Sequence, residues 1–333
     1  MNINCRYHYQ TILKSIFVFA SLLLVIGVLT ACNAQSSNKE EEVVTQAASE
    51  STKEQKDVYP LTVKDELGND VTLPAKPTKI FAPVMEDSLL ALGIKPMMQW
   101  SNGVRPQLYL QDQLQGVPEI SFASGPPSAE AIMANKPDII ILHNSFYLEN
   151  GTYEKYAKIA PTYVFKNAAS DLEGSIKVLG QLLNEQDKAE QALQSYQEKV
   201  DAAQAKLAAI TKGKKVALIR FNAKGMFFMT DEYFSGYVLT HELGFEQSSL
   251  VKNGAFEVSL EILPELDADY IFLINDGNLG DEFLNEFKES KIWQSTTAFK
   301  NNQVYETAGD YWLNGGIHAQ GKVIDDVLEF LTP

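Results

Sequence analysis

Asp171 to Ile210 reads DLEGSIKVLGQLLNEQDKAEQALQSYQEKVDAAQAKLAAI, and no strand signal interrupts it. Ala189, Ala192, Leu193, Tyr196, Val200, Ala203, Leu207 and Ile210 recur at three- and four-residue steps. That spacing puts them on one face of a long amphipathic helix. Ser170 followed three residues later by Glu173 predicts a capping-box start, and Thr211-Lys212-Gly213 predicts a stop. A helical strut over 171–211 therefore separates the regions on either side, and its stiffness restricts how far they can move.

Outward from the strut the rhythm changes. Strands are predicted at Lys79–Val84, Asp138–Leu142 and Thr162–Phe165 before it. After it they are predicted at Lys215–Arg220, Met226–Met229, Tyr270–Ile274 and Gln303–Glu306. Helical patterns lie between them at Glu86–Leu92, Ala129–Ala134, Gly236–Leu243 and Leu260–Leu266. Runs such as Ile139-Ile140-Ile141-Leu142 are apolar without alternation, as in parallel strands covered on both faces. The expected class is α/β, with Rossmann-like lobes at 58–170 and 212–333 bridged by the long helix.

The N-terminus has a different character. Residues 1–14 carry Arg6 and Lys14, an apolar run follows from Ser15 to Val28, and Leu29-Thr30-Ala31-Cys32 closes it. This is the pattern of a secretory signal peptide over 1–31, and the run is shorter than the roughly 20 residues of a spanning helix. Residues 32–57 are rich in Ser, Gln, Glu, Ala and Lys and lack aromatics, which predicts a disordered tether. The chain has 28 Lys+Arg and 43 Asp+Glu. Without Arg6 and Lys14 the balance is 26 against 43, or −17. An acidic chain with no basic tract is a poor nucleic-acid binder. Once Cys5 is removed Cys32 stands alone, so a disulfide framework or cysteine metal site is ruled out.

The two halves echo each other. Ser128-Ala129-Glu130 precedes Pro137-Asp138-Ile139, and Ser259-Leu260-Glu261 precedes Ala268-Asp269-Tyr270. Each Glu is followed eight residues later by the Asp. Helix-start chemistry accounts for either word alone; the repeat at one offset points to a paired role for Glu130 and Glu261.

Several stretches carry a family resemblance. They are the run from Asp65-Glu66-Leu67-Gly68 through Leu73-Pro74 and Pro77 to Lys79-Ile80, then Leu92-Gly93-Ile94-Lys95-Pro96, then Lys136-Pro137-Asp138-Ile139-Ile140, and Tyr311-Trp312 before a final helix. From Val58 to Leu331 the chain resembles the siderophore- and cobalamin-binding lipoproteins of ABC importers, the class III substrate-binding proteins. The Leu29–Cys32 ending likewise resembles the lipobox, whose cysteine receives diacylglycerol. The resemblance implies a monomeric receptor without cofactor or reaction, lipid-anchored at Cys32 to the outer face of a bacterial cytoplasmic membrane. It implies a ferric siderophore as ligand, of hydroxamate or citrate type, passed to a permease that meets one glutamate per lobe, here Glu130 and Glu261.

The ligand site is expected between the lobes, beyond the carboxyl ends of the strands. Anionic oxygens around iron call for guanidinium donors. Arg105, in the loop after Met97–Trp100, and Arg220, at a strand end, are the only arginines beyond Arg6. The resemblance implies an aromatic at Trp312 against the ligand, with Tyr311, Trp100, Met85 and Phe234 as further candidates. Many relatives carry an arginine near Tyr233–Gly236, and this chain has none.

A haem or cobalamin receptor of the same fold is the alternative ligand class, with Met85 or His318 as axial ligand. A lipoprotein hydrolase is the alternative of another class, but neither a Gly-x-Ser-x-Gly elbow nor a Gly-rich phosphate loop occurs. His143, His241 and His318 lack the clustering a zinc or manganese site needs.

Overall fold

The computed structural model describes residues 58–251 and 256–332. The expected signal peptide, 1–31, and tether, 32–57, with Cys32, lie outside the described residues. The N-terminal lobe runs through β1 (Leu61–Lys64), β2 (Asp70–Leu73), β3 (Ile80–Phe81) and α1 (Glu86–Ala91). It continues with β4 (Gln99–Ser101), β5 (Glu119–Ser121), α2 (Ala129–Met133), β6 (Ile139–Leu142) and β7 (Thr162–Val164). β1 and β2 form an antiparallel hairpin, β3-β6-β7 a parallel sheet, and β4-β5 a parallel pair. All of β6 is buried, which explains its unbroken apolar sequence.

The strut is two helices, α3 (Leu172–Leu183) and α4 (Gln186–Thr211). Asn184 between them takes the left-handed conformation, φ +52°, which a short polar residue tolerates and which ends a helix. The start also differs from the expectation. The cap is Asp171, whose carboxylate accepts from the Gly174 N–H at 2.8 Å, because it sits one residue closer to the first turn than Ser170. Gly180 lets the two helices meet: a β-carbon there would stand 2.8 Å from Ala189 Cβ.

α4 has 26 residues, a length of about 39 Å, and its face changes core along the way. Ala189 packs with Leu179, Leu183 and Leu89 in the N-terminal core. Tyr196, Val200, Ala203 and Leu207 pack with Leu218, Phe272 and Val323 in the C-terminal core. Each fully buried branched side chain contributes about 1.5–3 kcal/mol, so both lobes grip the same rod.

The C-terminal lobe consists of β8 (Lys215–Asn222), β9 (Gly225–Met229), β10 (Glu246–Gln247), β11 (Phe256–Val258), β12 (Tyr270–Asn275), α5 (Asp281–Glu289), β13 (Val304–Thr307) and α6 (Ile317–Leu331), with short helical turns between. Its six-stranded sheet has the order β11-β9-β8-β12-β13, with β10 also on β8. The sheet is mixed, not purely parallel: β9 folds back antiparallel on β8 through Ala223-Lys224. Two expected helices are also irregular. Phe234–Tyr237 is a single turn that widens into a π-turn over Val238–Glu242. Leu260–Glu265 is a 3₁₀ segment containing Pro264, whose missing N–H disfavours an α-helix interior.

Candidate ligand-binding site

β8 carries Arg220 near its carboxyl end, between buried Ile219 and Phe221. Its Nη2 is ion-paired with Asp276 Oδ2, just past the end of β12, and its Nε is buried without a hydrogen-bond partner. From the other lobe comes Arg105. Asn102 shapes its loop: its Oδ1 accepts from the N–H groups of Val104 and Arg105, each at 2.9 Å. The two arginines, with Trp100, Phe234, Asp276 and Asp310, line one cavity of about 350 Å³. Burial pushes the Asp310 carboxyl up, while Tyr109 N–H and the charge of Arg105 oppose that shift.

A second cavity of about 310 Å³ adjoins it, and Val84, His143, Phe234 and Asn314 line both. Met85, Asp87 and Tyr109 belong to its wall. Burial pushes His143 down to about 4, against a hydrogen bond to the Pro83 carbonyl, so its imidazole is neutral at physiological pH.

The walls are tied across the lobes. Gln107 Nε2 donates to Asn314 Oδ1 at 2.8 Å, and the Tyr109 N–H donates to Asp310 Oδ2 at 2.7 Å. Asp87 on α1 accepts from the N–H groups of His318 and Ala319 at the start of α6, each at 2.9 Å.

The structure thus brings Arg105, Arg220, Trp100 and Phe234 to one cavity, with Met85 in the next. The two aromatics expected beside them are placed elsewhere. Trp312 is 0% exposed. Its ring lies 5.2 Å from that of Phe272, and its indole N–H donates to Asp326 at 2.7 Å, so it is a core residue and presents nothing to a ligand. Tyr311 also donates to Asp326, at 2.9 Å, and lines neither cavity. The next residues, Leu313 and Asn314, reach the cleft instead.

Met85 and His318 do not converge either. His318 borders a separate depression of about 650 Å³ formed by α1, α4 and α6. Although that depression is roomier, two of its lysines, Lys188 and Lys199, are held by Glu185 and Asp325, and neither arginine reaches it. The site residues that sequence reasoning missed are His143, Gln107, Asn314, Asp276 and Asp310. Asp276, directly after an apolar strand, carried a usable signal, since α/β ligand sites lie at strand carboxyl ends.

Glu130 and Glu261 are both exposed in first helical turns. Ser128 caps its helix, accepting from the Ala131 N–H at 3.2 Å, and Glu130's own backbone N–H and Ser128 hold its carboxyl below the usual range. Ser259 makes no capping bond, so the echoed Ser does different work in the two lobes.

Residues 88–311 match the family model described as periplasmic binding protein. The chain is 28% identical over 335 residues to "Probable siderophore-binding lipoprotein YfiY" of Bacillus subtilis (strain 168), covering 95% of this chain and 96% of that one. It is 28% identical over 331 residues to the iron(3+)-hydroxamate-binding protein YxeB of the same organism, covering 96% and 97%. Staphylococcus aureus SirA, solved in complex with staphyloferrin B, aligns with a TM-score of 0.71 at 26% identity, over 81% of this chain and 98% of that one. The family match runs from α1 through the strut to the turn before α6, and the chain belongs to the periplasmic binding protein family.

Proposed function

We propose that the protein is an extracytoplasmic receptor that binds a ferric siderophore, of hydroxamate or citrate type, between its lobes and delivers it to an ABC importer permease. One observation carries the reading: Arg105 from one lobe and Arg220 from the other line the same cavity. Their guanidinium N–H groups donate to the iron-bound oxygens, and Trp100 and Phe234 offer flat surfaces to the organic framework. α4, held in both cores, limits closure to a small rocking motion, so specificity rests on site shape. Iron is cargo here, and no bond is made or broken by the chain. Lipid on Cys32 anchors the receptor to the outer face of the cytoplasmic membrane and keeps it at high effective concentration near its permease. Glu130 and Glu261, one per lobe, meet arginines of that permease.

The test is a tryptophan-fluorescence titration of the purified receptor with ferric siderophores, haemin and cobalamin. Saturable quenching by a ferric siderophore, lost in Trp100→Phe while Trp312→Phe retains it, is the expected result. A response to haemin or cobalamin alone would replace the cargo class. Silence toward all of them would refute a receptor of this kind.

A further inference from the structure

The cleft walls carry two arginines and three carboxylates, Asp87, Asp276 and Asp310. Arg220 is ion-paired with Asp276, and the field of Arg105 falls on Asp310 in the same cavity. The adjoining cavity adds Asp87 and no cation. Among the described residues lining the two, there is no lysine, and His143 is neutral because burial pushes it down to about 4. Two guanidinium groups are therefore balanced by two carboxylates, and the net charge facing a ligand is not positive. The rim is apolar. Val104, beside Arg105, is 86% exposed and Leu279, on the cavity wall, 56%. Phe146, whose ring meets that of Tyr147 on the same wall, is 72% exposed.

We infer that the site selects ferric complexes of zero net charge, in which three bidentate donors of one negative charge each neutralise the iron, and discriminates against polyanionic complexes. This rests on the receptor reading above. A hydroxamate carries one negative charge, so three of them cancel Fe³⁺. Three catecholates leave a charge of three minus, and bis-citrate complexes are also anionic. A polyanion that enters this cleft loses its hydration and meets no net positive charge in return, and burying an uncompensated charge is costly. A neutral complex still uses the arginines, whose N–H groups donate to its hydroxamate carbonyl and N–O oxygens while Arg220 keeps Asp276. Its apolar periphery suits Val104, Phe146 and Leu279.

The experiment compares ferrichrome (a neutral tris-hydroxamate), ferric enterobactin (a tris-catecholate) and ferric citrate by fluorescence titration of the mature receptor, at low and high sodium chloride. The expected result is binding of ferrichrome at least about tenfold tighter than either anion, with an affinity that salt barely changes. Asp276→Asn should raise the affinity for the tris-catecholate relative to ferrichrome by roughly tenfold, and Asp310→Asn provides the same test if that variant is unstable. Tightest binding of an anion, or an anion-to-neutral ratio that neither variant shifts, would overturn the charge inference and leave the receptor standing. Failure of all three complexes to bind would overturn the receptor reading and this inference with it.

Discussion

The guanidinium of Arg105 lies directly on the backbone of Gly277, close enough that a β-carbon there would stand 2.1 Å from Nη2 and 2.7 Å from Cζ. Arg105 belongs to the first lobe and Gly277 follows β12 in the second, so this contact spans the cleft. Gly277 also has φ +62°, a conformation that costs other residues roughly 1–2 kcal/mol. Gly277→Ala should therefore push Arg105 off its seat. Losing a charge-assisted hydrogen bond worth about 1.5–3 kcal/mol should weaken ferric siderophore binding by tenfold or more, with a smaller drop in stability. Fluorescence titration and denaturant unfolding of one variant separate the two effects. Unchanged affinity would show that Arg105 does not need that position.

Asp87 has a structural role that reaches across the lobes. α6 begins after Gly316 and has no capping side chain of its own. Its first free N–H groups, those of His318 and Ala319, donate to Asp87 on α1, and Tyr109 donates to the same carboxylate at 2.9 Å. One buried side chain thus caps a helix of the opposite lobe. Asp87→Ala would strand buried donors at about 1–3 kcal/mol each, so urea unfolding should show a loss of several kcal/mol. Asp87→Asn, which keeps one acceptor oxygen, should lose less. Equal stability of the alanine variant and the parent would remove Asp87 as the tie between lobes.

Trp312 shows where sequence reasoning fails on single residues. The strut was legible because a helix buried in two cores must repeat its apolar face, as Tyr196, Val200, Ala203 and Leu207 do. The arginines stood out because the chain has so few. No comparable signal tells a cleft tryptophan from a core one. The large apolar area of an indole favours burial, and its partner Asp326 lies 14 residues further on, visible only once α6 is packed. Asn184, which splits the strut, was readable from its tolerance of positive φ. β4 and β5, three residues each, are too short to leave a period. The expected outcome for Trp312→Phe is a loss of about 2–3 kcal/mol, from a smaller core side chain and the loss of one of the two donors to Asp326, which keeps Tyr311, with ligand affinity unchanged. A selective loss of affinity would return Trp312 to the site.

Glu86 gives stability a specific dependence on pH. Burial pushes it from about 4.5 up to about 7, even though Trp100 N–H donates to Oε1 at 2.6 Å, and its Oε2 has no partner. The folded protein therefore holds a proton that the unfolded chain releases. By linkage, the native state binds more protons than the unfolded state between these values, and stability falls as pH rises from about 4.5 to about 7. Below that window both states are protonated, and above it the full penalty, on the order of a few kcal/mol, has accrued. Glu86→Gln should flatten this slope and stabilise the protein at pH 8 more than at pH 5, as measured by urea unfolding at both. A parallel shift at the two pH values would mean that Glu86 is ionised throughout.

Glu130 and Glu261 make the docking reading testable apart from the ligand. Both carboxylates are exposed and neither lines the two cleft cavities. A charge change at either is therefore expected to cost little stability, as is usual for exposed positions. Paired with permease arginines they would fix orientation and speed encounter more than they deepen affinity. Reversal of both, Glu130→Arg with Glu261→Arg, should abolish siderophore-dependent iron uptake in cells while the purified variant binds its ligand as the parent does. Either reversal alone should leave partial uptake, because the other lobe still docks. Uptake that survives the double reversal would place the permease contact elsewhere on the lobes. Loss of ligand binding in the double variant would show that these residues support the cleft after all.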